Sequence, residues 1–113
     1  MLWYDFEAGN KAYKLRLNTR NTVMLEKALG RNPLAIFSNV DTMPTVTDMV
    51  QILFASLQQY HHGITLNDAY DIFDEYLADG HSLVDFLPVI LEIFKTSGII
   101  RTDAKIEEGS EKN

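Results

Sequence analysis

The groups in this chain with chemistry to offer are three histidines, five serines and a scatter of carboxylates, with no cysteine. Imidazole titrates near neutrality and ligates metals when neutral. His61 and His62, however, are adjacent at the end of a helical pattern, where side chains diverge, and His81 stands alone in a turn. Neither spacing matches a metal-ligand set. Serine catalysis needs a placed base, and a hydrolase elbow needs Gly-x-Ser-x-Gly; Ser38, Ser56, Ser82, Ser97 and Ser110 all lack that context. Asp71 and Asp74 fall on the outer side of a helical pattern, where paired carboxylates act as solubility features.

The stretch from Asp74 to Asp85 invites comparison with a calcium-binding helix-loop-helix, which sets oxygen ligands at alternate loop positions around a glycine. Its register fails. Placing Gly80 at the loop glycine puts Leu77 where an oxygen must be and Phe86 where a bidentate Glu belongs. Without cysteine there is no disulfide framework, no thiolate zinc site and no thiol nucleophile. No catalytic, metal or cofactor residues are therefore expected, and the chain reads as a domain that works by binding other proteins.

With 113 residues, 46% of them hydrophobic and 23% charged, there is apolar material for one core. The formal net charge of −6 argues against nucleic acid, which needs concentrated Lys and Arg. Lys11, Lys14, Arg16 and Arg20 form the densest basic group and read as the solvated side of a hairpin. Neither a signal peptide nor a membrane-spanning run is expected from the hydropathy pattern.

The elements that must position these groups follow from periodicity. Leu2, Tyr4 and Phe6, then Tyr13, Leu15 and Leu17, alternate with polar residues around Gly9-Asn10, a pair that accepts the positive φ of a tight hairpin turn. Asn18 or Thr19 caps a helix through Val23, Met24, Leu25 and Leu29, which Gly30 ends. Asn32-Pro33 opens a short helix to Phe37, and a loop follows from Ser38 to Thr45. Apolar spacing of three and four marks a helix from Val46 to Tyr60. Thr65 caps another through Ala69, Tyr70, Phe73, Tyr76 and Leu77, which Gly80 ends.

Ser82, with Asp85 three residues on, starts the last helix, which runs to Gly98 and should bend or restart at Pro88. This helix is apolar on two sides. Leu83, Leu87, Ile90, Leu91 and Phe94 suffice for a core face, which leaves Phe86, Val89 and Ile93 to be either covered as well or offered to a partner. We read Phe86, Val89 and Ile93, with Ile99 and Ile100 adjoining, as a partner-binding surface. The expected fold is α+β, mainly α: an N-terminal β-hairpin packed on a bundle of about four to five short helices. It forms a single domain over residues 1–101, with an acidic tail over 102–113. Helices apolar on two sides also allow self-association.

Two stretches carry a family resemblance. Leu15-Arg16-Leu17-Asn18-Thr19-Arg20 leads to Leu25-Glu26-Lys27-Ala28-Leu29-Gly30-Arg31-Asn32-Pro33-Leu34. Leu57-Gln58-Gln59-Tyr60-His61-His62-Gly63-Ile64-Thr65 is followed by Tyr70-Asp71-Ile72-Phe73-Asp74-Glu75-Tyr76 and Leu87-Pro88-Val89-Ile90-Leu91-Glu92-Ile93-Phe94. In order and spacing, over roughly residues 11 to 101, these resemble the small tail assembly chaperones of long-tailed, siphovirus-type phages and prophages of Gram-positive bacteria. The resemblance implies a non-catalytic chaperone for virion morphogenesis that coats the tape measure protein and recruits tail tube protein. It further implies action in the host cytoplasm and absence from the mature virion; such families often make a longer product by ribosomal frameshifting near the end of a short one, and this chain would be the short form. The competing expectation is a small acidic regulatory or adaptor protein that binds one protein target.

Overall fold

The computed structural model describes residues 2–37 and 43–103. Within them the hairpin consists of β1 (Tyr4–Ala8) and β2 (Lys11–Leu15), paired antiparallel with Phe6 opposite Tyr13 and Ala8 opposite Lys11. Gly9 and Asn10 form the two-residue turn with φ of 58° and 68°, the left-handed pair that matches strand twist. Four helices follow: α1 (Thr19–Leu29), α2 (Val46–Leu57), α3 (Leu66–Ala78) and α4 (Phe86–Thr96), with a 3-10 turn over Pro33–Phe37. The hairpin lies against α2, α3 and α4. The fold is thus the expected one, a hairpin on a small helical bundle. Of the expected acidic tail, everything from residue 104 onward lies outside the described residues, as do positions 38–42 of the expected loop.

Local chemistry sets the helix ends. Asn18 accepts from the Asn21 N–H at 2.8 Å, and Gly30 takes the left-handed conformation that closes α1. Thr65 and Asp68 form a reciprocal capping box on α3. Thr45 and Asp48 do the same on α2, where Asp48 also pairs with Arg31 at 2.8 Å. Thr45, expected in a loop, is thus a helix cap; Thr-x-x-Asp ahead of an apolar run is itself the signature of such a box.

Helix α2 ends at Leu57 rather than Tyr60, because the chain turns there and delivers the Tyr60 ring to Trp3 at 5.6 Å. Leu2, expected on the apolar face of the hairpin, precedes the strand and is 62% exposed. Tyr70 and Val46, expected in apolar stripes, are exposed as well.

Helix α4 requires the main correction. Phe86, Val89, Ile90, Ile93 and Phe94 form its buried face; Phe86 and Ile93 are 0% exposed and Val89 7%. Leu83, Leu87 and Leu91, expected in the core, are half-buried on the flank. The cause lies at the helix start. Ser82 to Asp85 form a cap in which Ser82 N–H donates to Asp85 and Asp85 N–H to the Ser82 hydroxyl, at 2.8 and 3.2 Å. The next N–H groups, of Phe86 and Leu87, reach back only three residues, to Leu83 and Val84. Tighter 3-10-type turns carry the chain to Phe86, so Leu83 and Val84 fall out of the α register. Pro88 then sits in the first turn of α4, where its missing N–H would have had no intrahelical acceptor and so no helix hydrogen bond is lost, and the expected restart takes place ahead of it.

Phe86 stands at the centre of an aromatic cluster, 5.1 Å from Phe73, 5.7 Å from Tyr76 and 6.1 Å from Phe6. Ile99 and Ile100 are held by a Schellman closure: the Ile99 N–H donates to the Phe94 carbonyl at 2.9 Å and Gly98 N–H to that of Lys95 at 3.1 Å. That closure folds both isoleucines back against the core, half-buried. The proposed partner surface is therefore mostly interior. A carboxylate at Ile93 would be an unpaired buried charge, a cost of several kcal/mol against a total stability of about 5–15. Ile93→Asp is expected to lose cooperative thermal unfolding by circular dichroism, and a variant melting within a few degrees of wild type would contradict this assignment.

Candidate functional site

The side chains singled out for chemistry are mostly engaged in holding the hairpin to the helices. His61, delivered by the turn after α2, accepts the Lys14 backbone N–H on Nε2 at 2.9 Å and packs edge-on against Tyr13 at 5.4 Å. A lone pair on Nε2 requires the ring proton to be on Nδ1. Partial burial, and then the Lys14 ammonium, lower the His61 pKa below its ordinary value of 6.5. His62 is exposed. His81 stacks on Tyr76 with centroids 4.3 Å apart, as the residue after the Gly80 closure of α3.

Serines and acids follow the same pattern. The Ser97 hydroxyl accepts the Leu17 N–H at 2.8 Å and ties the exit of β2 to the end of α4. Ser56 is fully buried, donates its hydroxyl to the Leu53 carbonyl, and offers its own carbonyl to Arg16 N–H at 2.9 Å. Asp79 accepts the Gly9 N–H at 2.9 Å, seating the hairpin turn on the end of α3. That seat is close: a Cβ at Gly9 would lie 2.6 Å from the Glu75 carboxylate. Asp71 and Asp74 are exposed on α3. Among the described residues, no three His, Asp or Glu side chains are placed to share a metal ion, and no helix is long and apolar enough to cross a membrane. Of the basic group, Lys14 lays its ammonium 4.4 Å from the centre of the Trp3 ring and Arg16 donates to the Leu2 carbonyl.

The arrangement that sequence reasoning missed is a cleft of about 630 Å³ between β1 and the α3–α4 junction. Tyr4, Asp5 and Glu7 form one wall; Tyr76, His81 and Asp85 form the other. Tyr76 is 4% exposed. Burial, then the charges of Asp85 and Tyr4, push its phenol up to about 12, so it stays a hydrogen-bond donor across the accessible pH range. Burial, with Glu92 and Asp5, raises Tyr4 as well. None of Asp5, Glu7 and Asp85 forms an ion pair among the described residues. The sequence signal was thin: Asp5 and Glu7 read as ordinary outward residues of a hairpin, and Asp85 as a cap.

The folded state favours neutral His61 while the unfolded chain titrates normally, so its contribution is present above the unfolded pKa and is lost as pH falls through the lowered folded pKa. Protonation also removes the acceptor for Lys14. Lowering the pH from neutral to 5 is therefore expected to depress Tm more in wild type than in His61→Gln, which keeps an acceptor that does not titrate. His61→Ala should cost about 1 kcal/mol at neutral pH. Equal acid sensitivity of wild type and His61→Gln in thermal melts would refute the assignment.

Residues 5–111 match the model of a family of unknown function, DUF6096, and because the match spans most of the chain the protein belongs to that family. No curated protein and no solved structure is significantly similar to it.

Proposed function

We propose that this member of the DUF6096 family is a non-catalytic tail assembly chaperone of a siphovirus-type phage or prophage. It binds the tape measure protein and helps recruit tail tube subunits in the host cytoplasm, and it is absent from the finished virion. One observation carries the binding role: His61, Ser97, Asp79 and the Ser82–Asp85 pair, the groups best suited to chemistry, each hold a backbone N–H of the scaffold. Side chains fixed in that way are not poised to turn over a substrate. The nature of the partner comes from the ordered resemblance over residues 11 to 101, not from the fold.

Surface chemistry supports the reading. A tape measure protein exposes long apolar helical surface before the tube encloses it, and a chaperone needs apolar flank without a loose core. On α4 the half-buried Leu87 and Leu91, with the half-buried Leu83 and exposed Val84 of the turn before it, supply such a flank, in place of the interior Phe86, Val89 and Ile93. Exposed Asp68, Asp71, Asp74 and Glu75 on α3 keep the domain soluble beside it.

Co-expression with the tape measure protein of the same genome is the test. The expected result is that the tape measure protein moves from the pellet to the soluble fraction and co-purifies with this chain. A tape measure protein that stays insoluble and forms no complex would overturn the proposal.

A further inference from the structure

A two-stranded hairpin has two outer edges, and here they are treated differently. Because Ala8 and Lys11 flank a two-residue turn, they exchange hydrogen bonds, as does every second pair after them. Backbone groups of Ala12 and Lys14 on β2, and of Asp5 and Glu7 on β1, then point away from the partner strand. On the β2 side this phase is confirmed by the acceptors found, His61 Nε2 for Lys14 N–H and the Ser56 carbonyl for Arg16 N–H, and only Ala12 beside the turn has none among the described residues. On the β1 side the N–H groups of Asp5 and Glu7 have no acceptor among the described residues.

That open edge runs along the acidic cleft. We propose that β1 is a docking strand for an extended basic segment of a partner protein, which adds a third strand to the hairpin and sets alternate Lys or Arg side chains against Asp5, Glu7 and Asp85. Main-chain hydrogen bonds to Asp5 and Glu7 supply the pairing, and side-chain charge supplies the choice of partner. Asp5 and Glu7 lie two residues apart on one face, so a segment with cations at every second position places them as cross-strand neighbours, roughly 5 Å away at the β-carbons. On the opposite wall, Tyr76 is more than nine-tenths buried, and its hydroxyl has no hydrogen-bond partner among the described residues. Tyr76 lines the cleft with Tyr4 and Asp85, and its unpartnered hydroxyl is not among the polar atoms sealed from solvent, so it is open to an occupant of the cleft. It is a donor and acceptor without employment in the fold. The acidic Glu107, Glu108 and Glu111 of this chain's own C-terminal stretch carry the wrong sign for the cleft.

The inference does not depend on which protein is the partner, and it is tested on the full chain with synthetic peptides. The probe is acetyl-Thr-Arg-Val-Arg-Val-Arg-Thr-amide, followed by backbone NMR. Expected are binding with amide-exchange protection gained at Asp5 and Glu7, and at least tenfold weaker binding to Glu7→Lys, which is exposed and leaves the fold intact. A version of the peptide N-methylated at alternate backbone positions, unchanged in charge, should also bind at least tenfold more weakly. Absence of binding at millimolar peptide, unchanged affinity for the N-methylated version, or equal binding of a peptide with Glu in place of Arg would each overturn the proposal. So would concentration-dependent protection of Asp5 and Glu7 in the protein alone, which would make a second copy the occupant.

Discussion

A hairpin of two five-residue strands is marginal in water, and everything else in this molecule follows from how that deficit is met. Its inner face, Phe6, Ala8, Tyr13, Leu15 and Leu17, is nearly fully buried on the helices. From Lys14 onward its β2 edge is closed by polar groups at helix ends, with Ala12 near the turn left open: His61 lies just beyond α2, the Ser56 carbonyl in the last turn of α2, and Ser97 at the end of α4, where it takes the Leu17 N–H just past the strand. Burial alone would fix which face points inward but would tolerate sliding. The three polar contacts set the register of hairpin against helices, because each acceptor reaches a single N–H.

This division of labour gives residues of catalytic type structural roles. A histidine whose Nε2 holds a backbone N–H cannot also act as a base there, and a serine hydroxyl accepting from Leu17 is fixed in orientation. The histidine stays neutral because its surroundings disfavour charge, and the scaffold needs it neutral to keep the acceptor. The carboxylates divide into two groups. Asp48, Asp68, Asp79 and Asp85 each accept backbone N–H groups at turns and helix starts, whereas Asp5, which takes only the Trp3 indole N–H at 2.9 Å, and Glu7 stand along an edge whose N–H groups nothing among the described residues closes.

How far the sequence could be read depended on the range of the signal. The Gly9-Asn10 turn, the Asn18 and Thr65 caps and the Gly30 and Gly80 closures are local chemistry, legible from a few residues. The face of α4 was not legible, because two overlapping stripes both satisfy helical spacing and only the position of the hairpin, with the tight turn after Ser82, selects Phe86, Val89 and Ile93 for the interior. The cleft was not legible either. Asp5 and Asp85 are eighty positions apart, and an open strand edge leaves no trace in composition or periodicity.

The central claim is that polar staples, with the buried face beneath them, make the hairpin part of the cooperative unit of the helices. Native-state hydrogen exchange at the Lys14, Arg16 and Leu17 amides tests it most directly. The account predicts that all three exchange only through global unfolding, in the same slowest class as Ile90 and Phe94 of α4. Exchange orders of magnitude faster than α4, as from a hairpin opening by itself, would contradict it.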